Sequence, residues 1–168
     1  DPSAVAAAVT PRTVGISPTQ LNGRTCDMDA IMEIARKNDL AVVEDAAQAL
    51  GSRFKGKHAG TFGVAGSFSF FPAKVLGCFG DGGGVITNNS QIYEKLYQLH
   101  DHGRDTNGDI KSWGRNSRLD NLQAAILNKR FGRYQEVIAR RRVIASLYQS
   151  HLGDLEELQL PPAPEENG

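Results

Sequence analysis

Lys74 lies in the run SFSFFPAKVLGCFGDGGG, residues 67–84, surrounded by aromatic and glycine residues. Aromatic neighbours strip water from an ammonium group and so favour the neutral amine. A neutral lysine amine can attack a carbonyl and form an imine. The alternative is an ordinary loop lysine whose stem lies on apolar surface while its head stays in water. Asp45 follows the apolar run Leu40–Val43 and Glu44. A partly buried carboxylate there either caps a helix beginning at Ala46 or faces a cation such as a protonated ring nitrogen. Gln48, three residues on, can donate to an oxygen of the same ligand. Ser69, five residues before Lys74, can offer its hydroxyl to a phosphate or stand as a plain strand serine facing a helix.

Other chemistries lack their residues. Gly77, Gly80, Gly82, Gly83 and Gly84 are not followed by Gly-Lys-Ser/Thr, and a strand rather than a helix follows them, so neither nucleotide-loop pattern is met. They read as glycines that let the backbone turn tightly beside a ligand. His58, His100, His102 and His151 have no metal-ligand spacing, and no Gly-x-Ser-x-Gly elbow occurs. No metal is therefore expected, and serine-hydrolase and metalloenzyme readings drop out. Lys129, Arg130, Arg133 and Arg140–Arg142 read as a solvated helix face with ion pairs. Lys plus Arg and Asp plus Glu both number 19, so no global field draws the chain to nucleic acid or a membrane surface.

The elements that must position these residues follow from periodicity. Val14–Ser17 predicts a strand, and Cys26–Asn38 a helix with Met28, Ile31, Met32 and Ala35 on one face. Leu40–Val43 predicts a buried parallel strand. Ser67–Phe71 and Gly82–Thr87 predict two more strands, and Ser90–His100 an amphipathic helix. From Leu119 to about Leu152 the pattern is one nearly unbroken helix with Gly132 as its weak point. Strand, helix, strand implies an α/β fold with a mostly parallel sheet and helices on both faces. Asp45–Gln48 and Pro72–Lys74 then fall at carboxyl ends of strands, where such sheets bind ligands. Cys26 and Cys78 are far apart and read as reduced thiols. No apolar run approaches the ~18 residues of a membrane span.

Three segments taken together, VVEDAAQALG (42–51), GSFSFFPAKVLGCFGDGGGVITN (66–88) and GRNSRLDNLQAAIL (114–127), resemble the DegT/StrS sugar aminotransferases of the fold-type I group. The resemblance covers the chain from about Pro11 to the proline-rich tail. It implies the large domain of an enzyme using pyridoxal 5'-phosphate (PLP), with Lys74 as the covalent anchor and proton shuttle. It implies Asp45 on the pyridinium nitrogen, Gln48 near the 3-oxygen, Ala47 against the ring face and Ser69 on the phosphate. Asn116 is implied to reach the phosphate of a neighbouring subunit's cofactor, making a homodimer part of the site. Two departures stand out. Many relatives have His-Leu-Tyr-Gly where this chain has Gln20-Leu21-Asn22-Gly23, which bears on sugar recognition, and Gly-Asp at Gly63-Val64, which reads as a packing change.

The implied activity is transfer of an amino group, with glutamate as donor, to a keto group of a nucleotide-linked sugar in the cytoplasm. A PLP-binding regulatory module and a cyclitol- or aminobenzoate-type aminotransferase remain alternatives. Relatives are longer, with a Gly-Thr phosphate motif and a ring-stacking aromatic ahead of this region and a small domain after it. The chain is therefore expected to be a partial large domain, residues 1–152, its long helix leading toward a missing small domain, with 153–168 a linker.

Overall fold

The computed structural model describes residues 1–161. Asp1 caps the first helix, α1 (Pro2–Ala8), by accepting the Ser3 N–H, and Pro2 starts it where a missing N–H costs nothing. Strand β1 (Gly15–Ile16) leads through a short turn to helix α2 (Met28–Lys37). Asp27 caps α2 through the Ala30 N–H at 3.1 Å. Met28, Ile31 and Ala35 recur at helical spacing and are buried against Val42 of strand β2 (Ala41–Asp45), with Val5 of α1 and Ile16 of β1 at the edge.

Three features were not anticipated: α1, a single 3-10 turn at Leu21–Gly23, and the hairpin of β3 (Arg53–Phe54) and β4 (Lys57–His58). Its two-residue loop, Lys55-Gly56, has positive φ at both positions (49° and 79°), the geometry that suits a tight hairpin. Strand β5 (Ala65–Ser69) begins two residues earlier than the alternation of Ser67–Phe71 predicts, because Ala65 and Gly66 pair with Val43 and Glu44. Strand β6 (Gly83–Ile86) follows, then helix α3 (Ser90–His100). The sheet order is β1-β2-β5-β6, parallel in its first two pairs and antiparallel between β5 and β6.

The predicted long helix is two helices, α4 (Asn121–Phe131) and α5 (Tyr134–Leu152). Gly132 remains right-handed (φ −58°, ψ −21°), but Arg133 leaves helical geometry (φ −109°, ψ 9°). Glycine holds a helix weakly, and the break occurs where it stands. Tyr134 then buries its ring, stacked on Phe131, and its hydroxyl donates to the Leu50 carbonyl at 2.6 Å. α5 ends at Leu152; of the predicted linker, only 153–161 fall within the described residues.

β2 alternates strictly. Val42 and Glu44 are buried on one face, while Val43 and Asp45 rise from the other. Glu44 has no solvent exposure and accepts four hydrogen bonds. Gly60 N–H (2.7 Å) and the Gln20 side-chain amide (3.0 Å) reach Oε2; Phe62 N–H (2.5 Å) and Gly63 N–H (3.0 Å) reach Oε1. The loop can come this close because its glycines have no Cβ: one on Gly63 would strike the Val42 carbonyl, and one on Gly66 the Gly60 backbone. Gln20, equally buried, accepts the Cys26 N–H at 2.7 Å and so ties the start of α2 to the same carboxylate.

Glu44→Ala strands three backbone N–H groups and an amide, and is expected to lower the unfolding free energy by about 3–5 kcal/mol. Glu44→Gln keeps the shape but turns a donor against donors, and should cost less, about 1–3 kcal/mol. Urea unfolding followed by circular dichroism measures both, and an unshifted Glu44→Ala midpoint would show that these contacts hold nothing.

Candidate functional site

The turn after β5 is closed by its own backbone. Lys74 N–H donates to Phe71 O at 2.9 Å and Cys78 N–H to Phe70 O at 2.8 Å, so Lys74 stands near the head of a tight excursion. A Cβ on Gly77 would come within 2.6 Å of two main-chain oxygens, Phe71 O and Pro72 O, so no larger residue fits there. Beneath the turn, Leu76 and Cys78 pack on Leu127 of α4 and Tyr134 of α5, with Leu50, Phe70, Val75 and Ile138 around them. The Arg130 guanidinium donates to Gly77 O at 2.7 Å, and the Gln123 side chain accepts Phe79 N–H at 2.8 Å. Burial raises the pKa of the Tyr134 hydroxyl, keeping it a donor to Leu50 O. The broken helix thus clamps the turn that carries Lys74 and the loop that follows Gln48.

Between these parts lies an open cavity of about 550 Å³. Lys74, Ser69, Gln48 and Ala47 all line it, joined by Asn22, Ser52, Arg141 and Arg142. Four of the six residues picked out from the sequence therefore meet at one place, from the ends of β2 and β5 and the turn beyond. Ser69 is half-buried, its oxygen accepting the Phe71 N–H at 3.3 Å. Gln48 Oε1 accepts the Asn22 N–H at 2.7 Å, which leaves its Nε2 as the group free to donate to a ligand.

Asp45 is not in the cavity wall but sits immediately before it. No helix starts at Ala46, so the capping alternative fails: Asp45 Oδ1 accepts the Ala47 N–H at 3.1 Å and holds a turn instead. Its other oxygen accepts no hydrogen bond among the described residues. Parallel partners share a face, so Asp45, Ser67 and Ser69 rise on the same side of the sheet. Asn116 lies elsewhere, exposed and bridged to Asp101, with its side-chain oxygen accepting from Arg118 at 3.3 Å.

Of the departing segment at 20–23, Gln20 is buried on Glu44 and cannot touch a sugar, while Asn22 does reach the cavity. Its left-handed backbone (φ 54°) aims its N–H at Gln48. Arg141 and Arg142 are solvent-exposed, as the reading of a solvated helix face has it, but they border the cavity and have no carboxylate partner among the described residues; of that basic stretch Arg133 is ion-paired, to Glu136. Their recurrence with Ile138 and Ala145 on one helix face was the available signal. No helix of the described residues is long and apolar enough to cross a membrane, and none of them form a metal-ligand cluster.

The sequence pattern of the DegT/DnrJ/EryC1/StrS aminotransferase family matches residues 1–168. The chain is 42% identical over 161 residues to a dTDP-3-amino-3,4,6-trideoxy-alpha-D-glucose transaminase of Streptomyces venezuelae, covering 96% of this chain and 42% of that one. It is 43% identical over 152 residues to a UDP-2-acetamido-2-deoxy-3-oxo-D-glucuronate aminotransferase of Pseudomonas aeruginosa, covering 90% and 42%. Among solved structures it is similar to S. venezuelae DesV in complex with a ketimine intermediate, with a TM-score of 0.88, 41% identity, and 96% and 44% of the two chains covered. The chain spans less than half the length of these relatives, and its fold is that of the fold-type I aminotransferases. It belongs to the DegT/DnrJ/EryC1/StrS aminotransferase family.

Proposed function

We propose that this chain is the cofactor-binding core of a PLP-dependent aminotransferase that aminates the keto group of a nucleotide-linked sugar, with glutamate as amino donor. The observation that carries this reading is the meeting of Lys74, Ser69, Gln48 and Ala47 around one cavity, with Asp45 beside it. The donor set fits the cofactor. Lys74 offers an amine for the aldehyde, Ser69 a hydroxyl for the phosphate, and Gln48 Nε2 a donor for the phenolic oxygen. Asp45 has an unoccupied carboxylate oxygen for the ring nitrogen. When bound, PLP supplies an electron sink that lets a proton leave the carbon bearing the amine.

The rest is work for the protein. Lys74 holds the cofactor and then, once displaced by the amine, moves the proton at its Nζ. Asp45 supplies the negative charge that keeps the ring nitrogen protonated. Ala47, with its small side chain, leaves room for a flat ring against the β2 end. Asn116 lies outside this cavity, which supports the reading that it serves the site of a second copy in a homodimer. A chain that acts on nucleotide-linked sugars, with Cys26 and Cys78 both unpaired, we place in the cytoplasm.

Addition of PLP to the full-length protein is expected to give a visible absorbance band that Lys74→Ala abolishes, with turnover falling on the order of a hundredfold or more. A Lys74→Ala protein that keeps the band would overturn the assignment. Asp45→Asn is expected to leave the fold and the cofactor band in place while kcat drops on the order of a hundredfold and KM changes little, because the carboxylate is needed most in the transition state. Near-normal kcat in that variant would mean that Asp45 only holds its turn. Cofactor affinity should be highest in the wild type, about tenfold weaker in Gln48→Ala and weaker again in Gln48→Glu, as titration of the same band would read. A Gln48→Glu protein that binds PLP as tightly as the wild type would show that no donor is required there.

A further inference from the structure

We infer that Arg141 and Arg142 form an oxyanion subsite on the far wall of the Lys74 cavity, and that its occupant is the diphosphate of the nucleotide-linked substrate; this rests on the reading of Lys74 given above. Among the described residues three cationic side chains, Lys74, Arg141 and Arg142, border the cavity, and no carboxylate does. In a chain whose formal net charge is zero, that local excess is a built asymmetry. The one acid near the start of α5, Glu136, is already taken by Arg133 at 2.9 Å. One turn to either side of Arg141 and Arg142 stand Val137, Ile138, Ala139, Ile144, Ala145 and Ser146, so the helix offers them no acidic partner.

Among the described residues the two guanidiniums make neither an ion pair nor a hydrogen bond to protein. α5 is not free to swing away, since the Tyr134 hydroxyl and Ile138 anchor its first turns to the site. Ala145, one turn on, is too small to fill the space beside them. Two planar forks of N–H donors match the oxygens of a phosphoryl group and bind it bidentately. Ser69 and Lys74 already occupy the strand-end side of the cavity, where the cofactor's own phosphate belongs. The helix side is left for a second, separate anion.

Isothermal titration of the full chain with uridine diphosphate, with and without PLP, tests this. Uridine diphosphate is expected to bind in both cases, and the double variant Arg141→Gln/Arg142→Gln to weaken it about tenfold or more while the visible PLP band is retained. Arg140→Gln removes the same charge outside the cavity and should leave the affinity unchanged. Arg141→Lys/Arg142→Lys, which keeps the charge but loses the forks, should give an intermediate value. An unchanged affinity in the double Gln variant overturns the subsite, as does an equal loss in Arg140→Gln. Displacement of uridine diphosphate by PLP would assign the arginines to the cofactor phosphate instead, and displacement by glutarate would assign them to the amino donor; either result overturns the proposed occupant. A wild-type protein with no PLP band whose uridine diphosphate binding still depends on the two arginines supports the subsite and refutes only the reading of Lys74.

Discussion

Beneath the sheet, a carboxylate shut off from water receives three backbone N–H groups and one side-chain amide. Burying Glu44 would be prohibitive without them, and the loop 60–63 would have no reason to fold inward without Glu44. The consequence passes directly to the site. Side chains alternate along a strand, so anchoring Glu44 on the covered face turns its neighbour Asp45 to the other. The same carboxylate holds Gln20, and through it the turn whose Asn22 N–H orients Gln48. An interaction that touches no ligand thus decides where two of the candidate ligand-binding side chains point.

The second half of the site is held from the other end of the chain. Lys74 sits on a turn whose apolar residues Leu76 and Cys78 need cover, and α4 and α5 supply the surface they pack on. Tyr134 reaches Leu50 across 84 positions of sequence, and Arg130 reaches Gly77 across 53. The interruption at Gly132 separates α5 from α4, and α5 brings to the cavity two arginines that have no ion-pair partner among the described residues. Fold and electrostatics are therefore set together, since the helix that clamps the lysine turn also carries the positive charge facing it.

What could be read beforehand was whatever local spacing encodes. The periodicity of Met28, Ile31 and Ala35 defined α2, the apolar run before Asp45 defined β2, and Ser90–His100 defined α3 to the residue. The aligned motifs brought Lys74, Ser69, Gln48 and Ala47 into one group, and they meet at one cavity. α1 was missed although Asp1 and Pro2 are a cap and a first-turn residue, because alanines show no amphipathic period. The β3–β4 hairpin was missed because strands of two residues each, with Phe54 the one apolar residue among them, carry almost no pattern. The role of Glu44 and the unmatched charge of Arg141 and Arg142 were passed over for a deeper reason. Three of the four partners of Glu44 are backbone groups 16 to 19 residues away, the fourth is a side chain 24 residues back, and Arg141 and Arg142 have none among the described residues, so no short side-chain spacing signals either.

Everything proposed for this protein turns on whether Lys74, alone among its lysines, bonds covalently to PLP. Borohydride reduction of the PLP-treated protein, followed by proteolysis and mass mapping, reads that bond directly. The account predicts a single phosphopyridoxyl label on the peptide containing Phe71, Pro72, Ala73 and Lys74. A label on another lysine, or one spread evenly over exposed lysines such as Lys55 and Lys95, would contradict it.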